Sequence, residues 1–149
     1  MPEVRFYHLQ RQSLEEALPK LVEKVCDAGW RTAIKVPNSD TMASLDAALW
    51  EFSPSSFIPH GVAGGNFEDK HPVYITEGDD NPSAATVQLL VNAVSSEQTE
   101  AFDKCLYMFD GRDEKIVAAA RQAWKRMSEW DWEMSYWQQR ETGGWEQKA

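Results

Sequence analysis

The apolar residues of this chain fall into short runs of β-formers separated by stretches of helical spacing. Val4-Arg5-Phe6-Tyr7-His8-Leu9 reads as a first strand. Ser13 stands before Leu14-Glu15-Glu16, an N-cap signal with Glu16 placed as in a capping box. Leu14, Leu18, Leu21, Val22 and Val25 then recur on one helical face, and Gly29 supplies a stop. Pro19 lies inside this stretch and either kinks the helix or marks a later start. Trp30 to Val36 reads as a second strand, and Pro37-Asn38-Ser39-Asp40 as a turn whose Ser39 or Asp40 caps the next helix. Leu45, Ala48 and Leu49 stripe that helix, with Trp50 at its end.

Ser53 to His71, rich in proline, glycine and serine, is expected to be a long loop. Pro72 to Thr76, Val87 to Asn92 and Lys104 to Phe109 supply a third, fourth and fifth strand, with a short helical turn at Ser96 to Phe102. From Arg112 onward, Ile116, Val117, Ala120, Ala123, Trp124 and Met127 keep helical spacing. After Trp130 the regularity is lost. Strands alternating with helices predict an α/β fold with a mainly parallel sheet of about five strands and a long C-terminal helix. No internal repeat interrupts it, so residues 1–149 are expected to be a single domain, with 130–149 an aromatic-rich tail packing on it. Five of the seven tryptophans lie toward that end: Trp124, Trp130, Trp132, Trp137 and Trp145.

Composition changes this picture mainly through charge. The formal net charge is −9, so the summed field repels phosphate, and any site for an anion must be local. Cys26 and Cys105 form neither a CxxC pair nor a zinc-ligand spacing, and both read as small core residues suited to a reducing cytoplasm. MPEVRFYHLQ lacks a basic segment followed by a long apolar run, so no secretory signal is expected. No stretch approaches the ~20 apolar residues of a membrane helix.

The strands and helices invite a nucleotide, but the motifs that hold one are missing. His8 to Ser13, after the first strand, contains neither GxGxxG nor GxxxxGK[ST]. Gly61-Val62-Ala63-Gly64-Gly65 lies inside the long loop, opens no predicted helix, and reads as surface. His8, His60 and His71 share no metal-binding spacing, and no GxSxG elbow is present. Asp79-Asp80 and Glu15-Glu16 are adjacent carboxylates, which diverge on a strand or helix. No metal, no cofactor and no catalytic residue is expected, although catalytic groups can be assembled from distant segments.

One set of motifs is more specific. Leu45-Asp46-Ala47-Ala48-Leu49-Trp50 followed by Ser56-Phe57-Ile58-Pro59-His60 resembles the LDxxLW…SFxPH motif of the chi subunit family of the bacterial DNA polymerase III holoenzyme. Phe6-Tyr7-His8-Leu9 resembles that family's opening strand, and Ala120-Arg121 with Trp124-Lys125 its basic C-terminal helix. Tyr136-Trp137-Gln138-Gln139, with Trp145 beyond, is similar to the tail of alphaproteobacterial members. The resemblance covers nearly the whole chain in order. It implies a Rossmann-like three-layer domain without enzymatic activity, linking the clamp-loader complex to single-stranded DNA-binding protein.

The resemblance also implies two surfaces. Trp50 and Phe57 map to the one that receives the psi subunit or another clamp-loader element. Arg121, Trp124 and Lys125 map to the one that receives the acidic, phenylalanine-ended tail of single-stranded DNA-binding protein. Arg121 and Lys125, four apart, share a helix face bordered by Trp124, and a guanidinium beside an apolar ring suits a terminal carboxylate and a phenyl group. Trp124 stands at a tyrosine-like position of the family, and Val117 to Ala120 replace a lysine found in some members, for which Lys115 is the nearest substitute.

The residues alone leave plainer readings open. Trp50 and Phe57 can be core, and Glu114, Glu129 and Asp131 can neutralise a solvated helix. Two other functions also stay open. One is a nucleotide-binding α/β enzyme. The other is direct binding of single-stranded DNA by the C-terminal tryptophans, which Glu129, Asp131, Glu133 and Glu141 oppose.

Overall fold

The computed structural model describes residues 3–10, 12–51, 60–62, 73–79, 81, 84–92, 94, 96, 99–140 and 144–148. Its strands are β1 (Glu3–Leu9), β2 (Thr32–Lys35), β3 (His60–Val62), β4 (Val73–Thr76), β5 (Val87–Val91), β6 (Lys104–Asp110), β7 (Glu133–Gln139) and β8 (Trp145–Gln147). The helices are α1 (Leu14–Asp27), α2 (Ser39–Glu51) and α3 (Glu114–Met127), and a short 3-10 turn covers Thr99–Ala101. The strands form one sheet in the order β3-β4-β2-β5-β6-β1-β7-β8. Every pairing is parallel except that of β7 with β8.

The α/β class and the parallel sheet agree with the sequence reading, but the sheet holds eight strands rather than about five. The five expected strands are all present. Of the three added ones, β3 lies inside the expected loop and pairs with β4. The other two come from the tail, where β7 extends the sheet beside β1 and β8 folds back on β7. The long helix is therefore not the last element.

α1 starts where Ser13 indicated. The Ser13 hydroxyl accepts from the Glu16 N–H, and the Glu16 carboxylate accepts from the Ser13 N–H at 3.2 Å, closing the capping box. Pro19 neither delays nor ends the helix; the helix continues through it and the ring is buried. The start of α2 differs by one residue from expectation. Asn38, not Ser39 or Asp40, accepts the Thr41 N–H at 2.8 Å.

Alternation along the strands divides the core into two layers. Tyr7 and Leu9 point to one face, where α1 and α2 deposit Leu14, Leu18, Val22, Leu45 and Leu49. Val4 and Phe6 point to the other, against Ala120, Ala123 and Met127 of α3. Helices on both faces of a parallel sheet make a three-layer, Rossmann-like arrangement.

Candidate functional site

β1 and β6 are neighbours in the sheet, and their connections leave toward opposite faces, β1 into α1 and β6 into α3. In parallel α/β sheets this switch point, at the carboxyl ends of the strands, is where nucleotides bind. Here both helix N-termini are occupied by the chain's own side chains. Ser13 and Glu16 close α1, and the Asp113 carboxylate accepts the Lys115 and Ile116 N–H groups at 2.9 and 3.3 Å to close α3. Asp110, held by Arg112 at 3.0 Å, adds a further carboxylate. A phosphate there would meet capped donors and negative charge, so this crevice gives the nucleotide reading no support.

Gly111 follows β6 at the same place. A Cβ on it would run into the His8 imidazole and the Leu9 carbonyl oxygen, which accepts the Gly111 N–H at 2.8 Å. The glycine is there for close backbone approach, not for a ligand. Gly111→Ala is expected to destabilise the fold by about 1–3 kcal/mol through overpacking. Denaturant unfolding would reveal this, and an unchanged midpoint would contradict it.

The face presented by α3 is different. Ala120 and Ala123 are small enough to let the helix lie close on the sheet, where a row of aromatic rings waits. Phe6 stacks on Tyr107 with centroids 4.7 Å apart. Trp124 meets Phe6 edge-on at 5.3 Å and Tyr136 edge-on at 5.6 Å. The register explains the row, because Phe6 is paired with Tyr107 of β6 on one side and with Tyr136 of β7 on the other. Trp124 is thus half-buried, a wall rather than a free plate.

Arg121 and Lys125 stand beside this wall, both exposed. Neither forms an ion pair with a described residue. Lys115 is exposed on the same helix but six residues before Arg121, roughly one and two-thirds turns, and so lies off the Arg121–Lys125 face. The side chain of Trp50 and all of Phe57 lie outside the described residues; the backbone of Trp50 belongs to the last turn of α2.

Two residues that the sequence reading named but did not place at this site lie beneath α3. The His8 Nδ1 is 2.7 Å from the Tyr136 hydroxyl, and the His8 ring lies 4.9 Å from Phe109. Burial lowers the His8 pKa below its ordinary 6.5, and the nearby Arg121 charge lowers it further, against an opposing pull from Asp110. Burial raises the Tyr136 pKa, and Arg121 holds it back. The Arg121 charge therefore reaches the His8–Tyr136 pair. Nothing in the sequence joined these residues, which are 128 positions apart.

A lowered folded pKa means that folding favours neutral His8. Its contribution to stability is complete above about 6.5 and is lost as pH falls through the lower folded value. An NMR titration should place His8 below the ordinary value, and Arg121→Ala should move it upward. No movement would place Arg121 away from the ring.

Together these features define a parallel α/β domain with a self-capped switch point and an exposed basic–aromatic helix face. A family model described as DNA polymerase III chi subunit, HolC, matches residues 1–135, and the chain belongs to that family. A probable DNA polymerase III subunit chi from Rickettsia prowazekii (strain Madrid E) is 28% identical over 92 residues. That alignment takes in 62% of this chain and 56% of the relative, so the chain spans just over half the length of the curated relative it matches.

Proposed function

We propose that this chain is a non-catalytic accessory subunit of the DNA polymerase III holoenzyme, connecting the clamp-loader complex to the C-terminal tail of single-stranded DNA-binding protein during replication. Family membership supports the replication role. The observation that carries the docking half is the pair of exposed cations, Arg121 and Lys125, without ionic partners among the described residues and standing against an aromatic wall. An acidic peptide ending in phenylalanine offers the matching groups. Its carboxylates meet the guanidinium and ammonium, and its ring lies against Trp124. In this reading Trp50 and Phe57 belong to the surface for psi or another clamp-loader element, as an aromatic anchor.

The proposed setting is the cytoplasm, and among the described residues no helix is long and apolar enough to cross a membrane. Calorimetric titration with an acidic, phenylalanine-ended peptide should show a one-to-one complex that weakens as salt screens the charges. The same peptide without its final phenylalanine should bind less well. No heat and no complex at low salt would remove the reading.

A further inference from the structure

On the face opposite α3, the helices do not cover the whole sheet. Between α1 and the β7–β8 edge lies a groove of about 680 Å³. Four cations line it: Arg5 and Lys104 from the sheet floor, Lys20 and Lys24 from α1. The Glu3 carboxylate bridges Arg5 at 3.2 Å and Lys104 at 2.8 Å, and so offsets part of their charge. Lys20 and Lys24 are exposed, one helical turn apart, and form no ion pair with a described residue. In a chain of net charge −9 this is a local positive site.

The same groove gathers three of the seven tryptophans, Trp30, Trp137 and Trp145. Trp30 is 38% exposed, and the Lys104 Nζ lies 3.7 Å from its ring centroid. Trp145 packs edge-on against Tyr7 at 5.2 Å, which fixes it on the groove side of β8. Trp137 and Trp145 pack on the α1 layer, whereas Trp130 and Trp132, just before β7, pack on the α3 layer. Glu129 and Asp131 precede β7, whereas Glu133, paired with Glu3, lies on the face of β7 that carries Trp137 and offsets part of the positive charge there. The cations come from β1, β6 and α1, remote in sequence from the tail.

We infer that the groove lined by Lys20, Lys24, Arg5, Lys104 and the indoles of Trp30, Trp137 and Trp145 binds a short stretch of single-stranded nucleic acid. Ammonium groups along one wall meet phosphates, and indoles offer stacking surfaces to bases, the pairing that sequence-tolerant single-strand sites use. An acidic peptide needs the cations but gives little use to three indoles. The overall negative charge limits the site to a few nucleotides rather than an extended track. None of these residues belongs to the Arg121 face, so the inference stands or falls separately from the docking reading.

The test is fluorescence anisotropy of a labelled oligothymidylate of roughly eight nucleotides, titrated with the full chain at low salt. The expected result is saturable binding that weakens with salt, drops on the order of tenfold or more in Lys20→Glu/Lys24→Glu, and is unchanged in Arg121→Ala. Both lysines are exposed, so the double variant keeps the fold. A Trp30→Ala variant should weaken binding without changing its salt dependence. Absence of binding, or binding indifferent to the lysine reversals, overturns the inference. So does thymidine monophosphate binding as tightly as the oligonucleotide, which would make the ligand a free nucleotide. So does an acidic peptide that binds through Lys20 and Lys24 while the oligonucleotide does not.

Discussion

Phe6→Ala is expected to lower the stability of the domain by about 3–5 kcal/mol, the cost typical of deleting a fully buried phenyl ring. Phe6 is 0% exposed and lies at the centre of the sheet face beneath α3. It touches partners on three sides: Tyr107 stacked at 4.7 Å, Tyr136 nearly parallel at 6.3 Å, and Trp124 edge-on at 5.3 Å. Removing the ring opens a cavity under a helix held by small residues, with no side chain at Ala120 or Ala123 long enough to fill it. A domain stable by only about 5–15 kcal/mol is left marginal by such a loss. Urea unfolding should show a lower midpoint at an unchanged slope. Phe6→Leu should recover most of the buried area but not the ring contacts, each worth about 0.5–1.5 kcal/mol beyond area. A loss below about 1 kcal/mol for the alanine variant would mean that the aromatic row does not anchor α3.

The parts of this fold legible in the sequence are those with one dominant local signal. β5, Val-Gln-Leu-Leu-Val, is buried at all five positions and reads as a near-continuous apolar run, as central parallel strands do. α1 announces its own start through Ser13 and Glu16. β7 sends no such signal. Glu-Met-Ser-Tyr-Trp-Gln-Gln is half-buried along most of its length, with polar and aromatic residues on both faces, so neither alternation nor a continuous run appears. Only its pairing with β1 makes it a strand. β3 is three residues with glycine in the middle, and its partner β4 supplies the order.

The same distinction runs through the candidate sites. Arg121 and Lys125 share a face because of helix periodicity alone, and that was readable. His8 and Tyr136 meet across a parallel pairing that no local pattern encodes. The tail tryptophans looked like one cluster in sequence. β7 and β8 divide them, placing Trp137 and Trp145 with the lysines of α1 and leaving Trp130 and Trp132 with α3. Of the acidic residues that counted against a nucleic-acid site, Glu129 and Asp131 precede β7 and Glu133 lies on the Trp137 face, while the cations meet the indoles only in space.

Arg121→Ala is expected to weaken binding of an acidic, phenylalanine-ended peptide by about 1–3 kcal/mol, roughly five- to 150-fold in the dissociation constant. The range follows from what the guanidinium can do. It is exposed and has no ionic partner among the described residues, so no internal ion pair must break before a carboxylate binds. Its planar fork can take a carboxylate with two parallel hydrogen bonds, whereas the Lys125 ammonium acts as a point charge. Arg121→Lys should therefore fall between wild type and alanine, retaining charge while losing the fork. Solvent screening keeps the effect away from the larger losses seen for buried pairs, and raising the salt should shrink the difference between wild type and variant. In the proposed docking site, Trp124 is the other end of the contact. Because it is braced by Phe6 and Tyr136, its face is fixed before the peptide arrives, which reduces the ordering cost of binding. Calorimetry of the three proteins against one peptide separates these contributions, and equal affinities for wild type and Arg121→Ala would take Arg121 out of the site. Lys20→Glu/Lys24→Glu should leave this peptide's affinity unchanged, since those lysines line the opposite face of the sheet.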